Sequence, residues 1–167
     1  HYTMNAGYIP LDHWVHTEEG AGRNIGEACH IYDVFNFLTG AKAISVSSSS
    51  IQPSGAYYSA KDNFVATITY DDGSVANLIY TAVGSKDYPK ETMEIFFDGK
   101  IITLDDYRSI KGYGVKLASL ETKGSEKGQL EEIKAFGRMI KNGGEPPIPL
   151  WQQMQAMQIA FAVEEQI

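Results

Sequence analysis

The amino-acid sequence predicts an α+β domain: an open, mainly antiparallel β-sheet with helices packed on one face. Three observations predict this fold class. The elements run in the order strand, helix, a series of alternating strands, and two closing helices. Two tight turns, Asp71-Asp-Gly-Ser74 and Asp98-Gly99, each join segments that alternate between apolar and polar residues, as hairpins do. The connections between strands are too short for parallel crossovers, and a length of 167 residues suits one domain, residues 1–167.

Residues 1–9 are predicted to form the first strand, because Tyr2 and Met4 alternate with polar neighbours. Pro10 ends this strand, since proline cannot donate a hydrogen bond to the next ladder position. The loop at residues 10–19 is rich in polar and aromatic groups, which is typical of loops that carry binding residues.

A small-residue turn at residues 20–22 leads into a helix that ends at Gly40. Its apolar residues recur at three- and four-residue spacing, the pattern of a helix with one buried face: Ile31, Val34, Phe35 and Leu38. Glu27, His30 and Asp33 are spaced three residues apart, so we expect them to share one polar ridge. A titratable ridge beside a glycine-rich turn is a candidate place for chemistry.

The rest of the chain supplies most of the sheet and two helices. Strands are predicted at residues 41–50, 64–70, 75–83, 92–97 and 100–104, with two weaker strands around residues 112–114. Ser125 is the predicted N-cap of the second helix, which stops at residues 142–144. Its apolar stripe comprises Leu130, Ile133, Phe136, Met139 and Ile140. The last helix is predicted to start near Trp151 and to bury Met154, Met157 and Phe161 in the core.

Composition excludes several classes of partner. The formal charge is −7 and Lys and Arg do not cluster, which argues against nucleic-acid binding. The apolar runs are far shorter than the roughly 20 residues of a membrane span, so no membrane partner is expected. The single cysteine, Cys29, fits a reducing compartment, the cytoplasm, and is interpreted as a small buried residue. His13 and His16 match no strong zinc spacing, so no metal site is expected.

Several short motifs carry a family resemblance. Gly20-x-Gly22, Gly26-Glu-Ala-Cys-His30, Asp33 and Phe37-Leu38 occur in a characteristic order, followed by Asp71–Tyr80 and Asn142–Pro147. Together they resemble the C-terminal substrate and oligomerisation domain of the glucose–fructose oxidoreductase / inositol dehydrogenase / MocA (Gfo/Idh/MocA) family, over most of the chain. The resemblance implies a glyceraldehyde-3-phosphate dehydrogenase-like C-terminal fold and a homo-oligomer formed through the sheet face. It also implies NAD or NADP bound mainly by an N-terminal Rossmann domain.

The motif of such a Rossmann domain is missing from this sequence. No Gly-x-Gly-x-x-Gly follows a strand, and Gly20-Ala-Gly22 follows a loop. The N-terminal Rossmann domain is therefore expected to be absent from this chain, and the chain alone is expected to be inactive.

The resemblance assigns His30 to catalysis, as an acid/base or orienting group near the oxidised carbinol, which suits an imidazole. The alternative is a core histidine bonded to a backbone carbonyl. Asp33 matches a family aspartate and could orient the ring, or serve as a surface or capping residue. The family commonly has Asp four residues before this histidine, where Gly26 stands here. Glu27 could supply that carboxylate, or it could close a capping box with Asn24.

Five residues are candidate substrate contacts: Asn5, His13, Trp14, Arg23 and Asn24. Arg23 and Asn24 stand at the entrance of the helix, where N–H groups favour anions. Arg23 could instead pair with Glu27 one helical turn later. Trp14 could stack on a sugar face or plug its loop into the core. Asn5 and His13 match positions that face the family's substrate pocket.

The sequence thus predicts the substrate-side domain of an NAD(P)-dependent oxidoreductase that resembles inositol 2-dehydrogenases. Its substrate would carry a hydroxyl on a sugar, nucleotide sugar or cyclitol. A regulatory, sugar-sensing family member without catalysis is the first alternative, and Gly26 is what that alternative predicts. A structural oligomerisation module is the second.

Overall fold

The computed structural model describes residues 1–52, 57–118 and 120–167, which form an eight-stranded sheet with helices. The strands are β1 (Tyr2–Asn5), β2 (Ala43–Ser50), β3 (Phe64–Tyr70), β4 (Val75–Thr81), β5 (Glu91–Phe97), β6 (Lys100–Asp105), β7 (Ser109–Tyr113) and β8 (Leu120–Glu121). The α-helices are α1 (Cys29–Thr39), α2 (Gln129–Asn142) and α3 (Leu150–Glu164). A π-helix (Asn24–Ala28) precedes α1, and two 3₁₀ turns cover Trp14–His16 and Ala60–Asp62.

The sheet order is β2-β3-β4-β1-β5-β6-β7-β8, and the predicted fold class is confirmed. β1 pairs antiparallel with β5 but parallel with β4, whereas all the other recorded pairs are antiparallel. The prediction that the strands pair only as antiparallel hairpins is therefore wrong for the pair β1 and β4. The first strand is inserted between two hairpins that form later in the chain. It is also shorter than predicted, because the chain leaves the sheet after Asn5 and turns at Gly7, where φ is +78°.

The hydrophobic core lies between one face of the sheet and the helices α1 and α3. Alternate residues of the central strands point into it, as the period of two requires. The buried residues of β1, β3 and β4 are Tyr2, Met4, Phe64, Ala66, Ile68, Tyr70, Ala76, Leu78 and Tyr80. The opposite face remains partly open, with Val65 and Val75 exposed.

The first helix is not a uniform α-helix. Its first turn, Asn24–Ala28, is a π-helix, and regular α-helix begins only at Cys29. The predicted end is confirmed, because Gly40 adopts φ +63° and its N–H bonds to the Asn36 carbonyl. A π-turn holds more residues per turn than an α-turn, so side chains before Cys29 are out of phase with those after it.

The last helix packs through different residues from those predicted. Met154 and Phe161 are exposed, so their assignment to the core is wrong, and Met157 is only half-buried. The buried face instead comprises Gln152, Gln155, Ala156, Ile159, Ala160 and Val163. Small residues let α3 approach α1 closely, and the buried glutamines are satisfied by hydrogen bonds. Gln155 Nε2 donates to Asn36 Oδ1 at 2.9 Å and to the Ala41 carbonyl at 3.0 Å.

The second helix also differs from its prediction. Its N-cap is Gly128 with φ +77°, not Ser125, so the helix begins at Gln129. Its amphipathic pattern is present, but no residue of α2 is buried.

Candidate functional site

The π-helix directs Glu27 towards the sheet, where it meets Arg23 and Tyr80. Arg23 Nε and Nη2 both donate to Glu27 Oε2 at 3.1 Å, and the Tyr80 hydroxyl donates to the same oxygen. Arg23 also donates from Nη1 to the Gly7 carbonyl at 2.6 Å and from Nη2 to the Ala6 carbonyl at 3.3 Å. The residue is only 3% exposed. Arg23 thus ties the helix entrance to the end of β1.

The Glu27 carboxylate is held in its ionised form. Burial acts to raise the pKa of Glu27, but the Tyr80 hydroxyl and the Arg23 guanidinium outweigh it, and the pKa is lowered. Burial and the bond to Glu27 raise the pKa of Tyr80, so its phenol stays protonated. Lys90 Nζ lies 4.0 Å from the other carboxylate oxygen of Glu27. A carboxylate engaged in this way is a structural anchor and a poor proton acceptor.

The Asn24 side chain is engaged in hydrogen bonds inside the protein. Its Nδ2 donates to the Ala160 carbonyl at 2.8 Å and to Glu164 Oε2 at 3.0 Å, and its Oδ1 accepts from the Tyr32 hydroxyl. The capping-box alternative for Asn24 and Glu27 is therefore wrong. Asn24 lies within the π-helix, and its side chain ties that helix to α3 instead of capping it.

His30 and Asp33 lie together on the opposite side of the helix. They line a groove of about 710 Å³ between α1, α2 and α3, and His30 is exposed. Burial raises the pKa of Asp33, nearby His30 opposes this rise, and Glu132 adds to it. The structure therefore brings His30 and Asp33 together and places Glu27 elsewhere. The single ridge of three groups expected from sequence spacing does not form, because the π-turn shifts the phase.

Cys29 also borders the groove and is half-buried. Burial raises the pKa of the Cys29 thiol, and the neighbouring carboxylates Asp33 and Glu27 add to that rise. The thiol is therefore held protonated, which argues against a nucleophile, although the residue is half-buried and not fully buried as predicted.

His13 and Trp14 lie on an exposed loop, and their ring centroids are 5.9 Å apart. Trp14 is 63% exposed, so it does not plug the loop into the core. The loop is fastened by His16, whose Nε2 bonds to the buried Asp62 at 2.8 Å and whose Nδ1 bonds to the Pro10 carbonyl at 3.1 Å. Two aromatic rings are thus presented to solvent on an anchored loop, an arrangement that can stack on a sugar ring.

Asn5 borders a separate cleft of about 520 Å³ at the end of β1. Its Nδ2 donates to the Ser85 carbonyl at 2.7 Å, which holds the loop between β4 and β5. A Cβ atom on Gly84 would lie 2.0 Å from Asn5 Oδ1, so any larger residue there would have to displace the Asn5 amide. Asn5 therefore acts directly on this loop, and the structure does not place it with His30.

The far wall of this cleft comprises Asp105, Asp106 and Arg108. Asp106 and Tyr107 both adopt left-handed backbone conformations, with φ of +48° and +53°. The Tyr2 hydroxyl donates to the buried Glu91 at 2.5 Å, and Lys127 pairs with the same carboxylate. Positive φ at two successive non-glycine residues is a form of strain found at functional sites. Sequence reasoning missed Glu91, because nothing in the sequence marks this first residue of a strand as buried.

Two kinds of site are not found within residues 1–52, 57–118 and 120–167. No cluster of three or more His, Cys, Asp or Glu side chains is arranged to hold a metal ion. No helix in these ranges combines the length and apolar character needed to cross a membrane.

The sequence matches the model of the oxidoreductase family C-terminal α/β domain, known as Gfo/Idh/MocA, over residues 8–167. The chain belongs to this family. None of the curated proteins matches it.

Solved structures of Gfo/Idh/MocA dehydrogenases share the fold of this chain. A UDP-N-acetylglucosamine 3-dehydrogenase from Acidithiobacillus ferrooxidans is 18% identical, with a TM-score of 0.75 over 99% of this chain and 52% of that one. A candidate myo-inositol dehydrogenase from Sinorhizobium meliloti is 16% identical, with a TM-score of 0.73 over 98% and 52%. A biliverdin reductase from Synechocystis, solved with biliverdin and NADP+, is 17% identical, with a TM-score of 0.71 over 98% and 52%. The chain thus spans about half the length of these proteins.

The described residues of this Gfo/Idh/MocA domain do not fit a dinucleotide. The parallel pair β1 and β4 is not joined by a single crossover helix, since β2 and β3 intervene. The glycine turn at residues 20–22 precedes a π-helix and follows a loop. The described residues thus contain no βαβ unit of the kind that cradles a pyrophosphate.

Proposed function

We propose that this chain is the substrate-side domain of an NAD(P)-dependent oxidoreductase acting on a hydroxyl of a sugar, nucleotide sugar or cyclitol. Membership of the oxidoreductase family supports the reaction class. The resemblance to a UDP-N-acetylglucosamine 3-dehydrogenase and a candidate myo-inositol dehydrogenase supports the substrate class. The coenzyme would be held mainly by an N-terminal Rossmann domain, and the protein would act in the cytoplasm.

The observation that carries the proposal is that exposed His30 and Asp33 line the same groove. Oxidation of a carbinol to a ketone moves a hydride to NAD(P)+ and releases the hydroxyl proton. His30 accepts that proton, since an imidazole titrates close to neutral pH. In this proposal Asp33, three residues later on α1, orients the imidazole.

The five predicted substrate contacts have unequal support. His13 and Trp14 are exposed and available to a sugar ring. Asn5 acts by shaping the cleft beside the loop that carries Gly84 and Ser85. Arg23 and Asn24 do not contact the substrate directly in this proposal, because their side chains are engaged in internal hydrogen bonds. In this proposal they position the helix entrance on which the substrate rests.

Assembly is a further part of the proposal. The sheet face opposite the helices exposes apolar residues, including Val65 and Val75. A second copy would cover this face and form a homo-oligomer. Light scattering of the purified protein should give a mass at least twice that of the monomer.

A non-catalytic, sugar-sensing role is the second candidate, and one observation favours it. Gly26 stands where the family commonly has Asp, and the neighbouring Glu27 carboxylate does not replace it because it is bonded to Arg23 and Tyr80. In this role His30 would recognise a sugar hydroxyl without transferring its proton.

One experiment separates the two candidates. The complete polypeptide is incubated with NAD or NADP and a panel of nucleotide sugars, free sugars and inositols, while reduced-nicotinamide absorbance and melting temperature are both recorded. The oxidoreductase proposal predicts turnover of at least one substrate class. Raised melting temperature with a sugar, but no turnover of that sugar, would support the sensing role. If no panel member is turned over and none raises the melting temperature, both candidate functions are contradicted.

A further inference from the structure

The loop at residues 10–19 presents two aromatic rings to solvent, yet few contacts hold it in place. No residue of this loop is buried, so apolar packing contributes little to its position. Its recorded hydrogen bonds all lie within residues 10–21, apart from one. The exception joins His16 Nε2 to Asp62 Oδ2 at 2.8 Å. Within the part of the chain that the structure describes, this bond is therefore the one that ties the loop to the body of the protein.

Both ring nitrogens of His16 face hydrogen-bond acceptors. Nδ1 lies 3.1 Å from the Pro10 carbonyl oxygen, and Nε2 lies 2.8 Å from the Asp62 carboxylate. A carbonyl oxygen and an ionised carboxylate can only accept, whereas a neutral imidazole has a single N–H to donate. Both bonds therefore form together only when the pair holds one extra proton, shared along the contact between Nε2 and Oδ2.

The surroundings of the pair contain few other groups that respond to pH. The Asp62 side chain is 3% exposed and the His16 side chain is 12% exposed. A cavity of about 420 Å³ adjoins them, and its other charged side chains are Glu18, Lys61 and Glu164. Lys61 Nζ donates to Glu164 Oε1 at 2.6 Å, so these two groups pair with each other. Carboxylates and amines ordinarily titrate outside the range of about pH 6 to 9, whereas an imidazole titrates within it.

We infer that His16 and Asp62 are positioning residues that hold this loop firmly only while they share a proton. A neutral His16 keeps one N–H, which bonds either to Pro10 or to Asp62, and its other nitrogen then turns a lone pair towards an acceptor. One bond of the two is thus lost whichever tautomer forms. The loop is held at acidic and neutral pH and is loosened as pH rises through the titration of the imidazole.

This loosening reaches two of the proposed substrate contacts, His13 and Trp14. The 3₁₀ turn Trp14–His16 carries Trp14 and ends at His16, and His13 is its N-cap. A turn of three residues is not stable on its own, so its geometry depends on how His16 is held. The consequence for substrate rests on the proposed function: KM for a sugar should rise with pH as the rings lose their fixed position.

Hydrogen exchange on the complete polypeptide between about pH 6 and 9 tests this inference without any substrate, after correction for the intrinsic pH dependence of exchange. Asp62→Asn is the decisive variant, because an amide donates to a neutral Nε2 through its nitrogen and accepts from a protonated one through its oxygen. His16→Gln cannot titrate, and it keeps the test decisive if Asp62→Asn fails to fold. The control is His1→Gln, since the exposed ring of His1 bonds to Asn77 and not to the loop.

In the wild type and in His1→Gln, we expect protection of the loop amides to fall about tenfold as pH rises over this range. In Asp62→Asn and His16→Gln, protection should stay within about twofold. Unchanged protection in the wild type would overturn the inference. An equal fall in Asp62→Asn would assign the response to His13, whose ring bonds only within the loop, and would also overturn it.

Steady-state kinetics on the best substrate of the panel test the link to binding separately. KM should rise with pH in the wild type and stay nearly constant in Asp62→Asn. A KM that does not rise while the loop loses protection would refute this link. Since the exchange data need no substrate, a silent panel with the expected exchange pattern would contradict the proposed function and leave the role of the His16–Asp62 pair standing.

Discussion

Replacing Arg23 with methionine should be the most damaging single substitution at the helix entrance. Methionine keeps an unbranched side chain of similar reach but removes the charge and every donor. Arg23 makes four hydrogen bonds, to Glu27 twice and to the carbonyls of Ala6 and Gly7. Its loss leaves a carboxylate and two carbonyl groups without their cation.

The expected cost follows from this geometry. Removing one partner of a buried ion pair costs about 3–5 kcal/mol. Glu27 is itself about a third exposed, with a relative side-chain exposure of 32%, and it keeps Tyr80 as a donor, which favours the lower end. We therefore expect a loss of about 3 kcal/mol in the free energy of unfolding. For a chain of this size that corresponds to a fall of about 6–12 °C in Tm.

Urea unfolding followed by tryptophan fluorescence measures this loss. Arg138→Met is the control, because Arg138 is exposed on α2, and it should change the free energy of unfolding by less than about 0.5 kcal/mol. A loss below about 1 kcal/mol in Arg23→Met would refute the argument. In that case Arg23 would be free to bind a substrate anion, as first predicted from its place at the helix entrance.

Three further substitutions test other parts of the structure. Because the pKa of Glu27 is lowered on folding, the ionised carboxylate stabilises the protein above its unfolded pKa of about 4.3. This stabilisation is lost as pH falls through the folded pKa. In Glu27→Gln, the free energy of unfolding from urea titrations should therefore fall less steeply at acid pH than in the wild type. Gly84→Ala should cost about 1–3 kcal/mol by displacing the Asn5 amide, and adding Asn5→Ala should relieve part of that cost; simple additivity in the double-mutant cycle would contradict the contact. Lys127→Met should lower the unfolding free energy by about 3 kcal/mol, since it leaves buried Glu91 without its cation, and an unchanged midpoint would show that this carboxylate is solvated.

Local patterns in the sequence predicted those parts of the fold that depend on local physics. The turn at Asp71–Ser74 and the turn at Asp98-Gly99 are present, because hairpin chemistry is determined within a few residues. The helix end at Gly40 is correct for the same reason. The parallel pairing of β1 with β4 was missed, since it joins Tyr2 to Leu78 and no local pattern records such a partner.

The errors in the helices come from tertiary packing. The Met and Phe stripe of α3 is apolar enough for the core, yet the structure buries Gln152 and Gln155 instead. The Gln152 side chain donates to the Asn36 carbonyl, and the Gln155 side chain donates to Asn36 Oδ1. The π-turn has no signature in periodicity, so the shared ridge of Glu27, His30 and Asp33 was predicted with the wrong phase.

Sequence reasoning predicted that His30 and Asp33 share one face of the helix, but it could not predict the contacts of the other candidate side chains. His30 and Asp33 do lie together, and they are three residues apart in regular α-helix. The roles of Arg23, Asn24 and Glu27 depend on Tyr80, Ala160 and Glu164, which are distant in sequence. Their catalytic or binding roles stay predictions.

The kcat/KM of the complete polypeptide, measured for wild type and His30→Asn on the best substrate of the panel, tests the central claim most directly. Asparagine preserves hydrogen bonding but cannot accept the proton, so we expect kcat/KM to fall about 10²- to 10⁴-fold while the affinity for the coenzyme is unchanged. His13→Asn, on the exposed loop, should raise KM and leave kcat nearly intact. A kcat/KM for His30→Asn within about threefold of the wild-type value would remove His30 from the chemistry and contradict the account.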